Sequence, residues 1–281
     1  MDPSERDRSL PSGYRLHRRF DRMGRLVGDR AMSRLQGSHV VVIGLGGVGS
    51  FAAEALARSG VGRLTLVDFD LVCVTNTNRQ LQAMRGTVGQ PKASVLAERL
   101  RLIHPDARIR PVPLFYDARI ASALLSGGEL GAPDFVLDAI DNVTAKCHLI
   151  ATCRERGLKL VVATGAAGRS DPTAIRVADL GETHIDPLAA SVRRILREKY
   201  DFPRKGPFGI PSVFSTERPS PPEPLAYDGD EGFSCVCPNG ENEVHTCDDR
   251  NVVWGTASFV TGTFGLIAAS VVVRQLVADA G

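Results

Sequence analysis

The chain has 281 residues, 43% hydrophobic and 23% charged, the make-up of an ordinary soluble globular protein with room for one large domain or two unequal ones. A formal net charge of +2 announces no nucleic-acid partner by itself, and six cysteines are too few for a disulfide framework. With no apolar signal-peptide core near Met1, a reducing compartment, the cytoplasm, is expected.

In chain order, residues 1–13 read as a loose tail and 14–36 as an arginine-rich helical segment; residues 15–34 hold seven arginines against two aspartates. A βαβ rhythm follows. Its strands are expected at His39–Ile43, Arg63–Asp68, Arg108–Pro113, Phe135–Asp138 and Lys159–Thr164, with nearly continuous Val/Ile/Leu runs, as in parallel strands buried on both faces. Helices are expected between them, at Val48–Ser59, Lys92–His104, Ala118–Leu125 and Thr144–Arg156. The fold class is therefore α/β, a doubly wound, mostly parallel sheet. Ala174–Leu180 could add a strand, and Pro187–Tyr200 is a basic helix. Residues 203–250 hold eight prolines, an acidic DGDE and three cysteines, and read as a long insertion. From Val252 to Val273 there is no charge. That length suits a membrane span, but its Gly, Ser and Thr favour a buried core helix. The expected division is an N-terminal tail and helix (1–36), a nucleotide-binding domain (37–180) and an extension packed on the same core (181–281).

Chemistry begins at VVIGLGGVGS, residues 41–50. Gly44, Gly46 and Gly49 satisfy G-x-G-x-x-G between a strand and a helix, where glycines let the backbone approach a phosphate and the helix N-terminus favours negative charge. Asp68 ends the next strand, placed for ribose hydroxyls. So far NAD and ATP fit equally. The segment DFDLVCVTNTNRQ then adds Asp70, Asn76 and Arg79, a planar fork for phosphate oxygens. Lys92 follows GQP at the start of a helix, and DAIDN at 138–142 adds Asp138, Asn142 and Asp141, the last placed to hold Mg²⁺ beside a triphosphate. Singly, Arg79 could be a surface salt bridge, Asp141 a helix N-cap and Lys92 a solvated charge. Together they suit a site that expels pyrophosphate from ATP, where charge builds on the leaving group; a dehydrogenase needs none of them.

The motifs RRFDR, GLGGVGS, DFD, NTNRQ, GQPK and DAIDN, in this order over about residues 15–180, resemble the adenylating superfamily of ubiquitin-activating enzymes and bacterial sulfur-carrier adenylyltransferases. The resemblance implies that Gly47 approaches the nucleotide, Asp68 binds ribose, Asn76, Arg79 and Lys92 bind phosphates and Asp141 holds Mg²⁺. It also implies a homodimer in which Arg22 reaches into the partner's site. The paired C-x-x-C motifs usual in the sulfur-carrier enzymes are absent from this sequence. Instead VTNTNRQ, SDPTAIRVADL (170–180), DPLA (186–189), VFSTE (213–217) and VTGTFG (260–265) resemble the tRNA threonylcarbamoyladenosine dehydratases. That implies ATP-dependent cyclisation of a modified adenosine beside the anticodon, with tRNA as partner. The alternative is an adenylyltransferase that activates the C-terminal glycine of a ubiquitin-like or sulfur-carrier protein.

Under that resemblance the basic residues Arg193, Arg194, Arg197, Lys199, Arg204 and Lys205 would meet tRNA phosphates, though a solvated helix face is the plain reading of any charge run. The length of 218–250 suggests a fungal-type version, whose relatives are associated with the cytosolic face of the mitochondrial outer membrane. Cys235, Cys237, His245 and Cys247 could hold zinc, in a spacing that matches no familiar site. Cys73, Cys147 and Cys153 read as packing.

Overall fold

The computed structural model describes residues 10–11, 14–126, 128–225 and 253–280, together with the backbone of 241–242 and 245–246. Seven strands form one sheet: β1 (His39–Ile43), β2 (Arg63–Val67), β3 (Arg108–Val112), β4 (Phe135–Asp138), β5 (Leu160–Ala163), β6 (Ile175–Asp179) and β7 (Pro211–Ser215), in the order β3-β2-β1-β4-β5-β7-β6. All neighbours run parallel except β6, which pairs antiparallel with β7 and closes that edge. The chain leaves β1 toward β2 and β3, then returns to lay β4 on the other side of β1. The crevice beyond the carboxyl ends of β1 and β4 is thus the switch point where such sheets bind ligands.

The strands alternate in which core they feed. Val40, Val42, Leu64, Leu66, Phe135 and Leu137 face one layer, while Val41, Ile43, Val67 and Val136 face the other. The first layer holds α1 (Asp21–Gly37), α2 (Gly49–Arg58), α3 (Lys92–Ile103) and α7 (Ser258–Ala278); the second holds α4 (Ala118–Leu125), α5 (Val143–Glu155) and α6 (Pro187–Lys199). Among the described residues beyond 180, α6 packs on α5 and α7 on α1 and α2, so both join the layers of the sheet.

α7 is long and apolar enough to cross a membrane, the one such helix among the described residues. Here it is a core helix. A Cβ on Gly265 would lie 2.3 Å from the Val48 carbonyl oxygen, and one on Gly262 3.1 Å from the Phe51 ring, so these glycines let α7 press onto α2. At its far end Asp279 accepts both contacts of the Lys159 ammonium at 2.6 Å. The expected start at Val252 is too early. The helix begins at Ser258, because the preceding backbone is extended and Gly255 is tied to Gly168. Its end runs on through Arg274 to Ala278.

β7 was not among the expected strands. Its sequence, PSVFS, has two serines buried at 0% exposure where an apolar strand pattern would place hydrophobic residues. The proline-rich stretch expected as one insertion therefore contains an interior strand between β5 and β6. The residues expected to bind zinc lie outside the described side chains.

Candidate active site

The loop between β1 and α2 is shaped by its glycines. Gly44 has φ +88°, a left-handed conformation that favours glycine, and a Cβ there would meet the Ala139 carbonyl oxygen at 2.6 Å. A Cβ on Gly49 would fall 1.7 Å from the Gly44 carbonyl oxygen. One on Gly47 would sit 2.9 Å from the Thr261 side chain, which reaches in from α7. Gly46 differs, since its nearest neighbour is the Gln80 amide nitrogen at 4.0 Å. Protein packing accounts for three of the glycines; the fourth faces open space at a helix N-terminus, the place for an anion.

Asp68 braces this loop from β2. Its carboxylate accepts the Leu45 N–H at 2.6 Å and the Asp70 N–H at 2.9 Å. Burial pushes the carboxyl above the usual aspartate range, while the Lys92 ammonium opposes the shift. Lys92 opens α3, is only 5% exposed and donates to Asp70 Oδ2 at 2.6 Å. Burial works against its charge, but Asp68, Asp70 and Asp141 outweigh it and hold the ammonium above the ordinary lysine value. A buried lysine held among three carboxylates beside a glycine loop is a charged site rather than a tight turn without a ligand.

Asp138 ends β4. Its Oδ1 accepts the Ile140 N–H at 2.9 Å and pairs with Lys146 Nζ at 2.9 Å, both side chains being 0% exposed. Lys146 also donates to the Ile140 carbonyl at 2.8 Å. The turn that presents Asp141 is thus gripped from beneath. Asp141 itself is exposed, and Asn142 caps α5 by accepting the Ala145 N–H at 3.0 Å.

The segment after β2 lines the other wall. Asn76 is buried and its Oδ1 accepts the Cys73 N–H at 3.0 Å. Arg79 Nη1 donates to the Thr75 carbonyl at 2.9 Å and to Asn78 Oδ1 at 3.0 Å. Gln82 donates to the Leu45 carbonyl at 2.6 Å and to Gln80 Oε1 at 3.2 Å, so two glutamines stitch this segment to the glycine loop. Asn78 donates to the Thr256 carbonyl at 2.8 Å, which ties the strand-like strap before α7 to the same wall.

The comparisons decide the family. The model of the ThiF family matches residues 20–280. The chain belongs to the ThiF family. Within it, the chain is 42% identical over 265 residues to tRNA threonylcarbamoyladenosine dehydratase of Haemophilus influenzae, covering 92% of this chain and 93% of that one. It is 38% identical over 195 residues to tRNA threonylcarbamoyladenosine dehydratase 2 of Saccharomyces cerevisiae, covering 69% of this chain and 42% of the yeast protein. The crystal structure of Escherichia coli tRNA N6-threonylcarbamoyladenosine dehydratase in complex with ATP superposes with a TM-score of 0.78 at 40% identity, covering 93% and 95% of the two chains. Over its length the chain thus matches the bacterial relatives, so the stretch 218–250 does not mark it as a fungal-type protein.

Set in the ThiF-family fold, the expected site residues divide. Gly44, Gly46, Gly47, Gly49, Asp68, Asp70, Asn76, Arg79, Lys92, Asp141 and Asn142 converge on the crevice at the carboxyl ends of β1, β2 and β4. Arg22 does not; it is exposed on α1. The basic helix α6 lies in the opposite layer from the loop's α2 and α7. It runs in the same direction as α5, for Cys147 near the start of α5 touches Val192 while Arg154 near its end donates to the Asp201 carbonyl. Arg193, Arg194, Arg197 and Arg204 line a surface cleft there. Arg194 pairs with Glu198 at 3.1 Å, Arg197 donates to the Pro203 carbonyl and lies over the Phe208 ring, and Lys199, Arg204 and Lys205 are exposed. Asp186 joins this helix to the sheet. Its Oδ2 pairs with Arg169 at 3.0 Å and accepts from Thr164 and the Gly165 N–H, while its Oδ1 caps α6. Cys73, Cys147 and Cys153 are buried, and burial raises the Cys147 and Cys153 thiols to about 11 and about 12. Gln80, Gln82, Lys146 and Thr261 escaped the sequence reading, although NRQ and VTGTFG, which contain Gln80 and Thr261, stood out as motifs.

Proposed function

We propose that this chain is an ATP-dependent tRNA threonylcarbamoyladenosine dehydratase. The observation that carries the reading is Lys92, a buried ammonium beside the open mouth at Gly46. A pyrophosphate-releasing site needs that cation; a hydride-transfer site does not. In the reaction, the threonyl carboxylate attacks the α-phosphorus of ATP, a P–O bond forms and pyrophosphate leaves. The carbamoyl group then attacks the acyl carbon, the ring closes and AMP departs with the oxygen lost as water overall. The residues chiefly position and stabilise charge. Gly46 and the start of α2 receive phosphate, Asp68 the ribose, and Arg79 and Lys92 the charge that grows on pyrophosphate.

Mg²⁺ suits this donor set. Asp141 is an exposed carboxylate on the crevice that holds Lys92, a hard oxygen donor of the kind that would hold Mg²⁺ beside a triphosphate. When bound, the ion neutralises the triphosphate that Lys92 alone cannot balance against Asp68, Asp70 and Asp141. A homodimer belongs to the same reading. Arg22 is exposed beside an apolar groove of about 440 Å³ lined by Met23, Leu26, Val27, Leu266 and Val273, with Leu26 78% exposed. The partner subunit's Arg22 would enter this chain's phosphate site. The basic residues of α6 and the 204–205 pair would hold tRNA phosphates, giving affinity rather than sequence choice. The protein works in the cytoplasm, with α7 as a core helix.

The deciding experiment supplies ATP and Mg²⁺ with and without tRNA carrying threonylcarbamoyladenosine. AMP release that requires the modified tRNA, with loss of one water from the nucleoside by mass spectrometry, is the expected result. ATP binding without tRNA-dependent turnover would move the assignment to activation of a protein C-terminus. No ATP binding would return the loop to NAD.

A further inference from the structure

The single tryptophan of the sequence, Trp254, sits at the carboxyl edge of the sheet with 44% of its surface exposed. Its position is fixed from both sides. The Gly168 N–H donates to the Gly255 carbonyl at 2.8 Å, and Asn78 Nδ2 donates to the Thr256 carbonyl at 2.8 Å. Gly168 lies in the loop after β5 and Asn78 in the segment after β2, so residues 255–256 tie those two loops together on the carboxyl side of the sheet. The ring is seated against Gly168 and Pro219. A Cβ on Gly168 would meet Trp254 Cε3 at 3.0 Å, Pro219 Cβ at 3.0 Å and the Ser220 carbonyl at 2.9 Å. The seat is itself pinned, since the Ser220 N–H donates to the Gly168 carbonyl at 2.7 Å and Glu217 accepts the N–H groups of Ser170 and Asp171. Four residues further on, the same chain starts α7 and brings Thr261 against Gly47.

An aromatic ring held this way, on a strap tied to the wall that carries Asn78 and Arg79, costs little ordering when it is used. It lies within one short strap of the Asn78–Arg79 wall, and the neighbouring Arg218 is exposed. Unstacked bases of RNA loops are bound by stacking on such rings, while a base locked in a duplex has no free face to offer. We propose that Trp254 is a stacking platform for an unpaired base of the substrate RNA loop, next to the nucleotide whose carboxylate is activated. The proposal rests on the tRNA reading above and names the part of the RNA that this surface receives.

Because the protein has one tryptophan, its intrinsic fluorescence reports this position alone. The probes are an anticodon stem-loop RNA carrying threonylcarbamoyladenosine and a blunt duplex of the same stem, each end-labelled so that binding is followed separately by anisotropy. The stem-loop is expected to quench Trp254 and the duplex to leave it unchanged. Trp254→Ala should raise KM for the modified tRNA about tenfold, the scale of one lost base–aromatic stack. ATP binding should be unaffected, and Trp254→Phe should restore most of the loss. Three results would overturn the proposal: labelled stem-loop that binds while the fluorescence stays constant, an unchanged KM in Trp254→Ala, or a smaller species for Trp254→Ala in size-exclusion chromatography, which would make the ring a contact between copies. Failure of the wild-type protein to bind or turn over any tRNA would instead bring down the tRNA reading, and this one with it.

Discussion

Lys92 carries one positive charge among Asp68, Asp70 and Asp141, so the protein's own charges at this point are net negative before a triphosphate adds more. Removing the ammonium leaves Asp68 and Asp70 without their cation, so it should cost chemistry and, through those carboxylates, folding stability as well. Lys92→Met is expected to lower kcat for AMP formation about 10²- to 10³-fold, the usual loss for one preorganised donor to developing charge, and single-turnover assays with labelled ATP would check it. Asp141→Ala should abolish turnover while circular dichroism and melting stay near wild type, because the side chain is exposed; unchanged turnover would remove its metal role. At this scale much was legible. The glycines, Asp68, Lys92 and Asp141 are of residue types that phosphate and metal chemistry demands, at the ends of recognisable strands. Gln80 and Gln82 were not legible, since a glutamine has no fixed meaning until one sees that its amide meets the Leu45 carbonyl. Lys146 was hidden for a related reason: on a helix with mixed polarity nothing marks a lysine that points inward.

Among elements, the junction of β4 and α5 shows how a buried pair can serve a surface residue. Lys146 ties Asp138 to the Ile140 carbonyl, one residue before Asp141. Lys146→Met leaves a buried carboxylate alone and should cost roughly 3–5 kcal/mol in urea unfolding. The double variant Asp138→Asn/Lys146→Met should recover most of that, and a double variant no more stable than the single would show that the pair is not the reason. The α2–α7 contact is steric. Gly265→Val would drive a branched side chain into the Val48 carbonyl, with an expected loss of about 3 kcal/mol from overpacking and weaker ATP binding through the displaced loop, read by denaturation and by nucleotide titration. Sequence periodicity found the strands of the parallel core because they are Val/Ile/Leu runs. It missed β7, whose buried Ser212 and Ser215 break the pattern, and it started α7 early because VVWGT is as apolar as the helix it precedes. Hydropathy cannot tell a strap tied by backbone hydrogen bonds from the first turns of a helix.

For the whole molecule, two buried histidines set a dependence on acidity. His39 Nδ1 lies 2.8 Å from the Gly131 carbonyl, which only accepts, so Nδ1 carries the proton and Nε2 accepts from the Thr65 hydroxyl at 2.9 Å. Burial holds His39 and His104 below the ordinary value of 6.5, and both ring nitrogens of His104 lack partners among the described residues. The unfolded chain therefore takes up protons first, so their contribution is present above 6.5 and is lost as pH falls below it. Asp68 and Asp138, whose carboxyls burial raises, act in the opposite sense. The histidine effect is isolated by His104→Phe, which keeps the edge contact with Phe20. That variant should gain more melting temperature over wild type at about pH 5.5 than at about pH 8; an equal gain at both would show that His104 does not titrate on unfolding.

The contact between Gly47 and Thr261 also orders events in time. Thr261 stands on α7, which the ribosome makes after every other helix and strand of this sheet, and α7 is what fills the space between α1 and α2. While it is being made, the nascent chain can pair its early strands and brace the loop through Asp68, Gln82 and Ala139, but the Gly47 side of the phosphate loop stands uncovered. A nucleotide that arrives before then meets a loop with one wall missing. A message that stops short of residue 258 yields a chain with an open apolar face and a phosphate loop without its Thr261 wall, one that quality-control proteases should clear rather than a partly active enzyme.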